Sequence, residues 1–297
     1  MHDGEVDINS QLLTQLLSAQ FPRLCHLPIE VVHSTGTVNA IYRIGEDLCA
    51  RLPRVETWAA DLEKELALLP KLAPLLSVAI PRPVERGEPW SRYPFVWAIY
   101  EWIGGEIYAS DRIDDECQAA VDLAQFVAEV RRADPSAGPR GGRAPLDQLD
   151  AVTRTAIASI RGDVDVEVDA DALSEAWEIS LRAPAAGCRE VWRHGDLLPP
   201  NLLVENGRLR AVIDFGSACV GDPASDVIPA WTVFGEAARI VFRDSLAVDD
   251  ATWARARGYA LHQALLIIPY YAVTNPGLAS MATHTIEAVL GELGLST

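Results

Sequence analysis

Hydrophobic and polar positions divide the chain into a strand-rich first part and a helical second part. Five short apolar runs predict strands, at 29–32, 40–44, 48–52, 84–86 and 95–100. Leucines at helical spacing predict one helix over 7–20 and another over 57–72, which is inserted after the third strand. The first part is therefore a small sheet with one main helix.

From residue 114 onward the apolar positions follow the helical period. Six helices are predicted there, at 115–132, 146–161, 172–181, 230–246, 251–272 and 278–293. The segment 134–145 is rich in proline and glycine and is expected to be a mobile loop. Strands followed by helices predict a two-lobed α+β protein, with an N-terminal antiparallel sheet lobe over 1–101 and a mostly helical C-terminal lobe over 102–297.

One stretch inside the helical part breaks this pattern and carries most of the polar chemistry. It runs from Arg193 to Gly216 and reads RHGDLLPPNLLVENGRLRAVIDFG. Two apolar runs flank an Asn-Gly turn, which predicts a β-hairpin. The hairpin would bring Asn201 and Asp214 together at its open end, with Asp196 on the loop that leads in. Hard oxygen ligands of this kind suit Mg²⁺.

Each polar residue of this stretch also fits an ordinary structural role. Asp and Asn are common turn formers and helix caps, and His194 taken alone fits a structural residue better than a base. A chance match to H-x-D-x-x-x-x-N is also possible in a chain of 297 residues. The combination of hairpin, Asp-Phe-Gly and upstream strands favours a functional site. The Walker phosphate loop, H-E-x-x-H and G-x-S-x-G are absent.

Composition narrows the classes of partner. The chain has 25 Lys+Arg against 42 Asp+Glu, a net charge of −17, which argues against nucleic-acid binding. The acidic balance either attracts cationic small molecules or is only solvated surface. Five scattered cysteines without a C-x-x-C pair fit a reducing cytoplasm. The acidic N-terminus does not resemble a signal peptide, and no apolar window is long enough for a membrane span.

The motifs HGDLLPPN and IDFG resemble the catalytic and metal-binding loops of the protein-kinase-like fold. The form H-G-D-x-x-P-x-N resembles the aminoglycoside phosphotransferase family, whose relatives include choline kinases and other small-molecule kinases. Flanking segments extend the resemblance over most of the chain: GTVNAIYRIG, LCARLPR, EKELALLPKL, IYEWIGGE and GDPASDVIPAW. The resemblance implies an ATP- or GTP-dependent small-molecule O-phosphotransferase that is a monomer or homodimer.

The resemblance also implies roles for the residues of the central stretch. Asp196 would be the catalytic base or would orient the acceptor hydroxyl, and Asn201 and Asp214 would hold Mg²⁺ on the nucleotide phosphates. His194 would brace the catalytic loop. Asp226 would hydrogen-bond the loop backbone, with a helix N-cap as the alternative.

The nucleotide would be bound by the first lobe. Four residues of a small-residue turn would cover the phosphates: Ser34, Thr35, Gly36 and Thr37. Glu101 and Ile103 would bind the purine through backbone groups. Arg51 stands where the family pattern has a strand lysine, with Glu65 as its expected partner and Glu63 as the competitor. Alternatively, Arg51 faces solvent as a strand-edge charge.

The acceptor is expected to be a small molecule. Only nine residues separate the Asp-Phe-Gly from Asp226, too few for a peptide-docking segment. Residues of the last helices are candidates to line the acceptor site: Trp231, Glu236, His262 and Tyr270. His262, Tyr270 and Tyr271 fit core positions equally well. An antibiotic of the aminoglycoside or macrolide type is the leading expectation. A housekeeping metabolite (choline, homoserine or a sugar) and a catalytically silent binding module are the alternatives.

Overall fold

The structure, a computed structural model, divides the chain into two compact units. It describes residues 5–32, 38–161, 169–184, 189–271 and 275–295. The first unit is Met1–Glu106 with Arg210–Ser217, and the second is Ile107–Leu209 with Ala218–Thr297. The apolar pattern placed the division after Glu101. It did not indicate that a later segment returns to the first unit, since this depends on contacts between residues distant in sequence.

The first unit contains an antiparallel sheet with strand order β1-β2-β3-β5-β4. Its strands are β1 (Ile29–Val32), β2 (Asn39–Ile44), β3 (Leu48–Pro53), β4 (Pro83–Gly87) and β5 (Trp97–Glu101). The predicted antiparallel lobe is thereby confirmed. Strand β5 is buried except at Glu101, as expected for an apolar strand inside a sheet.

Two helices accompany this sheet, α1 (Ser10–Gln20) and α2 (Glu56–Leu72). Helix α1 is capped by Asn9, whose side chain accepts the Leu12 N–H at 3.0 Å, and the buried leucines of α1 join the core of the sheet. Helix α2 buries a stripe of alanine and leucine side chains. Glu65 is the one charged member of that stripe, so its burial needs a compensating partner.

The second unit is mostly helical. Its helices are α3 (Glu116–Val130), α4 (Leu146–Arg161), α5 (Ala170–Leu181), α6 (Pro229–Thr232), α7 (Glu236–Ser245), α8 (Asp250–Tyr271) and α9 (Pro276–Leu293). Helix α8 packs against α4, α5 and α9. In the ranges that the structure covers, no helix is both long enough and apolar enough to cross a membrane.

The prediction of a single helix over 230–246 is wrong. The structure has α6 and α7 instead, separated at Val233, Phe234 and Gly235. The N–H groups of Val233 and Phe234 both donate to the Pro229 carbonyl, at 3.0 and 3.2 Å, which closes α6. Because the break keeps its residues buried, the apolar period continues through it and conceals it from the sequence pattern.

Five further strands are short: β6 (Glu106–Ile107), β7 (Val191–Arg193), β8 (Leu202–Glu205), β9 (Arg208–Val212) and β10 (Cys219–Gly221). Strands β7 and β10 pair antiparallel. Each has three residues, too few for a detectable period, so the sequence did not predict them. The predicted Asn-Gly turn is confirmed: it joins β8 to β9, and Asn206 and Gly207 have φ values of 51° and 72°.

The segment expected to be a mobile loop, 134–145, packs along the β7–β10 pair. The Gly141 N–H donates to the Val220 carbonyl at 3.1 Å, and the Val220 N–H donates to the Pro139 carbonyl at 2.9 Å. A Cβ at Gly138 would overlap the side chains of Trp192 and Val220. Glycine here permits close packing rather than a flexible loop.

Candidate active site

The loop that follows β7 is held by one buried carboxylate. Asp226 accepts the backbone N–H groups of His194 and Gly195, both at 2.7 Å, and is fully buried. These are the bonds that the resemblance implied. The capping role in this turn belongs to Asp222, which accepts the Ala224 N–H at 2.9 Å. Asp226 therefore fixes the backbone that leads to Asp196.

His194 is buried and contacts this loop. Its ring is buried, lies 6.4 Å from the Phe126 ring, and accepts the Asp196 N–H at Nδ1 at 3.2 Å. An imidazole nitrogen that accepts a hydrogen bond from the backbone cannot also take the proton of a substrate. These contacts favour the structural role expected for His194.

Asn201 holds the carboxylate of Asp196. Its Nδ2 amide donates to the Asp196 carbonyl at 2.8 Å and to Asp196 Oδ2 at 2.9 Å. Both bonds come from the amide nitrogen, so Oδ1 of Asn201, the atom suited to a cation, takes part in neither. Asn201 lies in a tight turn just before β8. The loop thus presents one carboxylate in a fixed orientation beside one amide oxygen.

In the first unit, Arg51 on β3 joins two carboxylates. Its Nη1 donates to both oxygens of Glu65, at 2.8 and 3.0 Å, and its Nη2 donates to Asp214 Oδ1 at 3.1 Å. The Arg51 side chain is 13% exposed, so it does not face solvent. Glu63 pairs with Arg86 instead, which leaves Glu65 as the partner of Arg51.

Burial and charge act against each other in this cluster. Burial favours the neutral form of Arg51, but the carboxylates of Glu65 and Asp214 outweigh it and place the pKa of Arg51 above its ordinary value. Burial raises the pKa of Glu65, which the Arg51 guanidinium opposes. The Tyr100 hydroxyl also donates to Glu65, at 3.0 Å. Arg51 is thereby kept as a permanent cation in a fixed position.

Asp214 follows β9 in an unusual backbone conformation. Its φ is 66°, in the left-handed region, which costs a non-glycine residue about 1 kcal/mol or more. The Val212 N–H donates to the Ala79 carbonyl at 3.0 Å, so the end of β9 is fixed in the first unit. The carboxylate is 41% exposed and can still reach a ligand.

The donor chemistry fits a magnesium ion carried by phosphates. Asp214 offers a carboxylate and Asn201 an amide oxygen, the hard ligands that Mg²⁺ prefers. Across the described residues, no group of three or more His, Cys, Asp or Glu side chains could hold a metal ion. Mg²⁺ usually takes one or two protein ligands and completes its shell with phosphates and water. Asn201 and Asp214 belong to different units, so joint coordination stays a prediction.

The remaining nucleotide-site predictions are only partly covered. Ser34, Thr35, Gly36 and Thr37 lie outside the described residues. The Glu101 N–H donates to the Arg82 carbonyl at 3.0 Å, and the Glu101 side chain pairs with Arg82 at 3.3 Å. Its side chain is thus used within the protein. Ile103 lies two residues after Glu101 in an irregular segment, so backbone recognition of a purine there stays a prediction.

The candidate acceptor residues do not form one group. Trp231 is fully buried, donates its indole N–H to Glu292 at 2.5 Å and packs on Trp253 with ring centroids 4.5 Å apart. His262 is also buried and hydrogen-bonds Thr153 at 2.7 Å. These contacts favour core roles for both. Glu236 is exposed at the start of α7, and the side chain of Tyr270 lies outside the described residues.

One residue near the catalytic loop was not singled out from the sequence. Arg143 is half-buried, and the fields of Asp196 and Asp226 act on it. Its segment was interpreted as a mobile loop because of its glycines and prolines. A charged residue between small residues was the only signal, and it is too common to identify a site.

The antiparallel sheet with its buried ion pair and the helical unit with its pinned His-Gly-Asp loop define a kinase-like phosphotransferase fold. The chain belongs to the phosphotransferase enzyme family APH, whose profile matches residues 31–259. One curated relative, the uncharacterized protein YcbJ of Bacillus subtilis (strain 168), is 48% identical over 44 residues. That match spans 14% of this chain and 14% of the relative's length.

Solved structures of two kinds of antibiotic phosphotransferase are similar in fold. The GDP complex of wild-type aminoglycoside 2'-phosphotransferase-IIIa matches with a TM-score of 0.71 and 21% identity, over 96% of this chain and 100% of that chain. The macrolide 2'-phosphotransferase MphH from Brachybacterium faecium matches with a TM-score of 0.59 and 23% identity, over 94% and 97% of the two chains. Identities at this level establish the fold and leave the acceptor open.

Proposed function

We propose that this protein transfers the terminal phosphoryl group of a nucleoside triphosphate to a hydroxyl group of a small molecule. The main support for this proposal is the way in which the loop that carries Asp196 is held in place. Asp226 pins its backbone, and Asn201 orients the carboxylate of Asp196. A positioned carboxylate of this kind is what an acceptor hydroxyl needs to attack in line.

Each residue then has a chemical task. Asp196 accepts the proton of the hydroxyl or orients it, and Asn201 and Asp214 are the residues whose oxygens would hold Mg²⁺ when it is bound with the nucleotide. The Arg51 guanidinium supplies a positive charge that attracts phosphate oxygens, while its Nη1 and Nη2 donate to Glu65 and Asp214. Glu65 holds Arg51 in place. Arg51 offsets negative charge on the transferred group, and a bound Mg²⁺ would supply further positive charge there.

The nucleotide in this proposal is ATP or GTP with Mg²⁺. Structures similar in fold include a GDP complex of aminoglycoside 2'-phosphotransferase-IIIa and a streptomycin–ATP complex of APH(2")-IIa. The proposed acceptor is an antibiotic of the aminoglycoside or macrolide type, with a housekeeping metabolite as the alternative. A silent binding module is less well supported, because Arg51 forms the carboxylate pair that the family's strand lysine would form.

The test is a transfer assay with matched variants. Purified protein with Mg²⁺ and either ATP or GTP is offered a panel of hydroxylated antibiotics and metabolites, and phosphorylated products are identified by mass spectrometry. We expect Asp196→Asn to lower kcat at least ~100-fold with an unchanged melting temperature. Asp244→Asn, a change of the same kind at an exposed position on α7, should match the wild type. Equal activity of Asp196→Asn and wild type would refute the proposal.

A further inference from the structure

Arg143 is placed beside the catalytic loop by an ordered segment. Its neighbour Gly142 has a φ of 113°, and a Cβ there would overlap the Arg193 guanidinium. Arg193 is the last residue of β7, three positions before Asp196. The backbone bonds between 139–141 and Val220 fix this segment on the same strand pair. Arg143 therefore has a fixed place beside this strand pair, where the field of Asp196 acts on it.

Arg143 has no direct contact with a carboxylate in the described ranges. Within the part of the chain that the structure describes, it forms no ion pair. Its only hydrogen bond among those residues runs from Nη2 to Oε1 of the neutral Gln263 at 2.8 Å. Its Nε is buried without a partner. Other buried arginines of the same unit differ: Arg255 pairs with Asp222 at 2.9 Å, and Arg257 pairs with Glu292 at 3.2 Å.

The carboxylates that act on Arg143 are those of Asp196 and Asp226, and both act through their fields without an ion pair to it. Burial and the field of Arg143 lower the pKa of His262 to about 4, so this imidazole is neutral. Burial raises the pKa of Tyr259 to about 12, so its hydroxyl is neutral too. Asp226 already accepts two backbone N–H groups. Burial lowers the pKa of Arg143 more than these fields raise it, so an anionic partner in direct contact would stabilise this half-buried cation.

Arg193 also lacks a carboxylate partner among the described residues, but it is covered. Its side chain is 3% exposed, lies under the Gly142 backbone and donates to the Cys219 sulfur at 2.9 Å. Arg143 is the more accessible cation, and Arg193 adds positive potential behind it. The net charge of −17 acts over longer distances, which salt screens beyond about 8 Å at physiological ionic strength.

We propose that Arg143 is a specificity-determining residue that binds an anionic group, a carboxylate or a phosphate, on the acceptor whose hydroxyl faces Asp196. This inference rests on the proposed phosphotransferase function, defines its substrate class as hydroxylated anions, and therefore favours the metabolite alternative over an aminoglycoside acceptor. The hydroxyl oxygen forms a bond to the terminal phosphorus, the bond from phosphorus to the nucleoside diphosphate oxygen breaks, and the hydroxyl proton goes to Asp196. A polyamine antibiotic would place its positive charges against a guanidinium that has no ion-pair partner among the described residues.

Anion binding tests this inference without any turnover. The full-length protein, with saturating Mg-ADP, is titrated with acetate, inorganic phosphate and uncharged acetamide, and dissociation constants are measured by NMR. We expect acetate or phosphate, but not acetamide, to bind at least tenfold more weakly to Arg143→Gln. The control Arg140→Gln removes an arginine of the same segment that is 66% exposed and paired with Glu190, and should stay within twofold of wild type. If acetate binding is the one weakened, the bound group is a carboxylate; if phosphate binding is the one weakened, it is a phosphate. No difference between Arg143→Gln and wild type in either arm overturns the inference.

Turnover with matched acceptors separates this inference from the proposed function. Gluconate and glucose 6-phosphate are compared with glucose and with the polycation kanamycin. The inference predicts higher kcat/KM for an anionic member, lost in Arg143→Gln mainly through a raised acceptor KM. Efficient transfer to kanamycin that Arg143→Gln does not alter overturns the inference and leaves the phosphotransferase function standing. A raised nucleotide KM with unchanged anion binding also overturns it, because Arg143 would then serve the nucleotide. Full activity of Asp196→Asn refutes the function itself.

Discussion

Arg51 occupies the position where the family pattern has a lysine, yet it forms the same kind of carboxylate pair. Glu65 receives two hydrogen bonds from it, and Asp214 a third. The family resemblance implied the pairing of Arg51 with Glu65, with Glu63 as the competitor. It did not predict that Asp214 joins them, because the partner lies 163 residues away and no local pattern encodes that distance. The two carboxylates make Arg51 a fixed cation.

Removing Arg51 should expose the cost of burying Glu65. In Arg51→Met, we expect the free energy of unfolding at pH 7 to fall by about 3–5 kcal/mol, since an unpaired buried carboxylate remains. Burial raises the pKa of Glu65, and the variant lacks the guanidinium that opposes this shift. The contribution of Glu65 to stability is therefore present below the ordinary Glu pKa and is lost as pH rises through the raised pKa. Urea denaturation followed by circular dichroism from pH 5 to 8 measures this. The double variant with Glu65→Gln should lose this pH dependence. If the unfolding free energies of the single and the double variant changed with pH in the same way, Glu65 would not be the group that titrates.

His262 should make stability depend on acidic pH in the opposite sense. Burial lowers its pKa from 6.5 to about 4, so it contributes stability above 6.5 that is lost as pH falls through 4. The loss should be on the order of 2–3 kcal/mol. His262→Gln, which can still meet the Thr153 hydroxyl, should lack this part of the pH profile. Denaturant unfolding at pH 7, 5.5 and 4 gives the free energy of unfolding of the wild type and of His262→Gln. If this free energy changed with pH equally in both proteins, His262 would not be the titrating group.

At the scale of elements, long periodic segments were predictable and short ones were not. The sheet strands, α2, α4 and the Asn-Gly turn follow from apolar period and turn chemistry. Strands β7 and β10 have three residues each, and the break between α6 and α7 leaves the apolar period intact. The loop between β7 and β8 was predicted from its motif. Its fixation by Asp226 came from the family resemblance rather than from spacing.

Replacement of Asp226 should affect both the stability of the protein and the activity of the loop that carries Asp196. Asp226→Asn keeps one acceptor oxygen, so one of the N–H groups of His194 and Gly195 loses its partner. We expect a loss of about 1–3 kcal/mol in unfolding free energy and a fall in kcat of about 10- to 100-fold. Steady-state kinetics and denaturation on the same sample measure both. If stability fell while kcat stayed unchanged, Asp226 would have no part in orienting Asp196.

Two glycines, one in the ordered 138–143 segment and one in α9, should respond in opposite ways to replacement by alanine. Gly142→Ala should lower the melting temperature markedly, because φ is 113° and its Cβ would overlap the Arg193 guanidinium. Gly291→Ala lies within α9 with open space around its Cβ, and should stabilise the protein by about 0.5–1 kcal/mol. Differential scanning calorimetry compares both with wild type. A harmless Gly142→Ala would mean that the segment is as mobile as its composition suggested.

At the scale of the whole molecule, the chain is built from two units that are not contiguous in sequence. Residues 210–217 carry Asp214 into the first unit, while Asp196 and Asn201 stay in the second. The sequence predicted two lobes and the order of their elements, because apolar period reports local structure. It could not assign the returning segment or the acceptor site, since both depend on which distant residues meet.

In the proposed function Asp196 serves phosphoryl transfer to a hydroxyl, and the stoichiometry of that transfer tests this role. With Mg²⁺ and nucleoside triphosphate, wild-type protein should release one nucleoside diphosphate for each acceptor phosphorylated on oxygen, measured together by ³¹P NMR. Folded Asp196→Asn should give neither product above background over the same interval. Phosphorylated acceptor from Asp196→Asn at the wild-type rate would contradict the account.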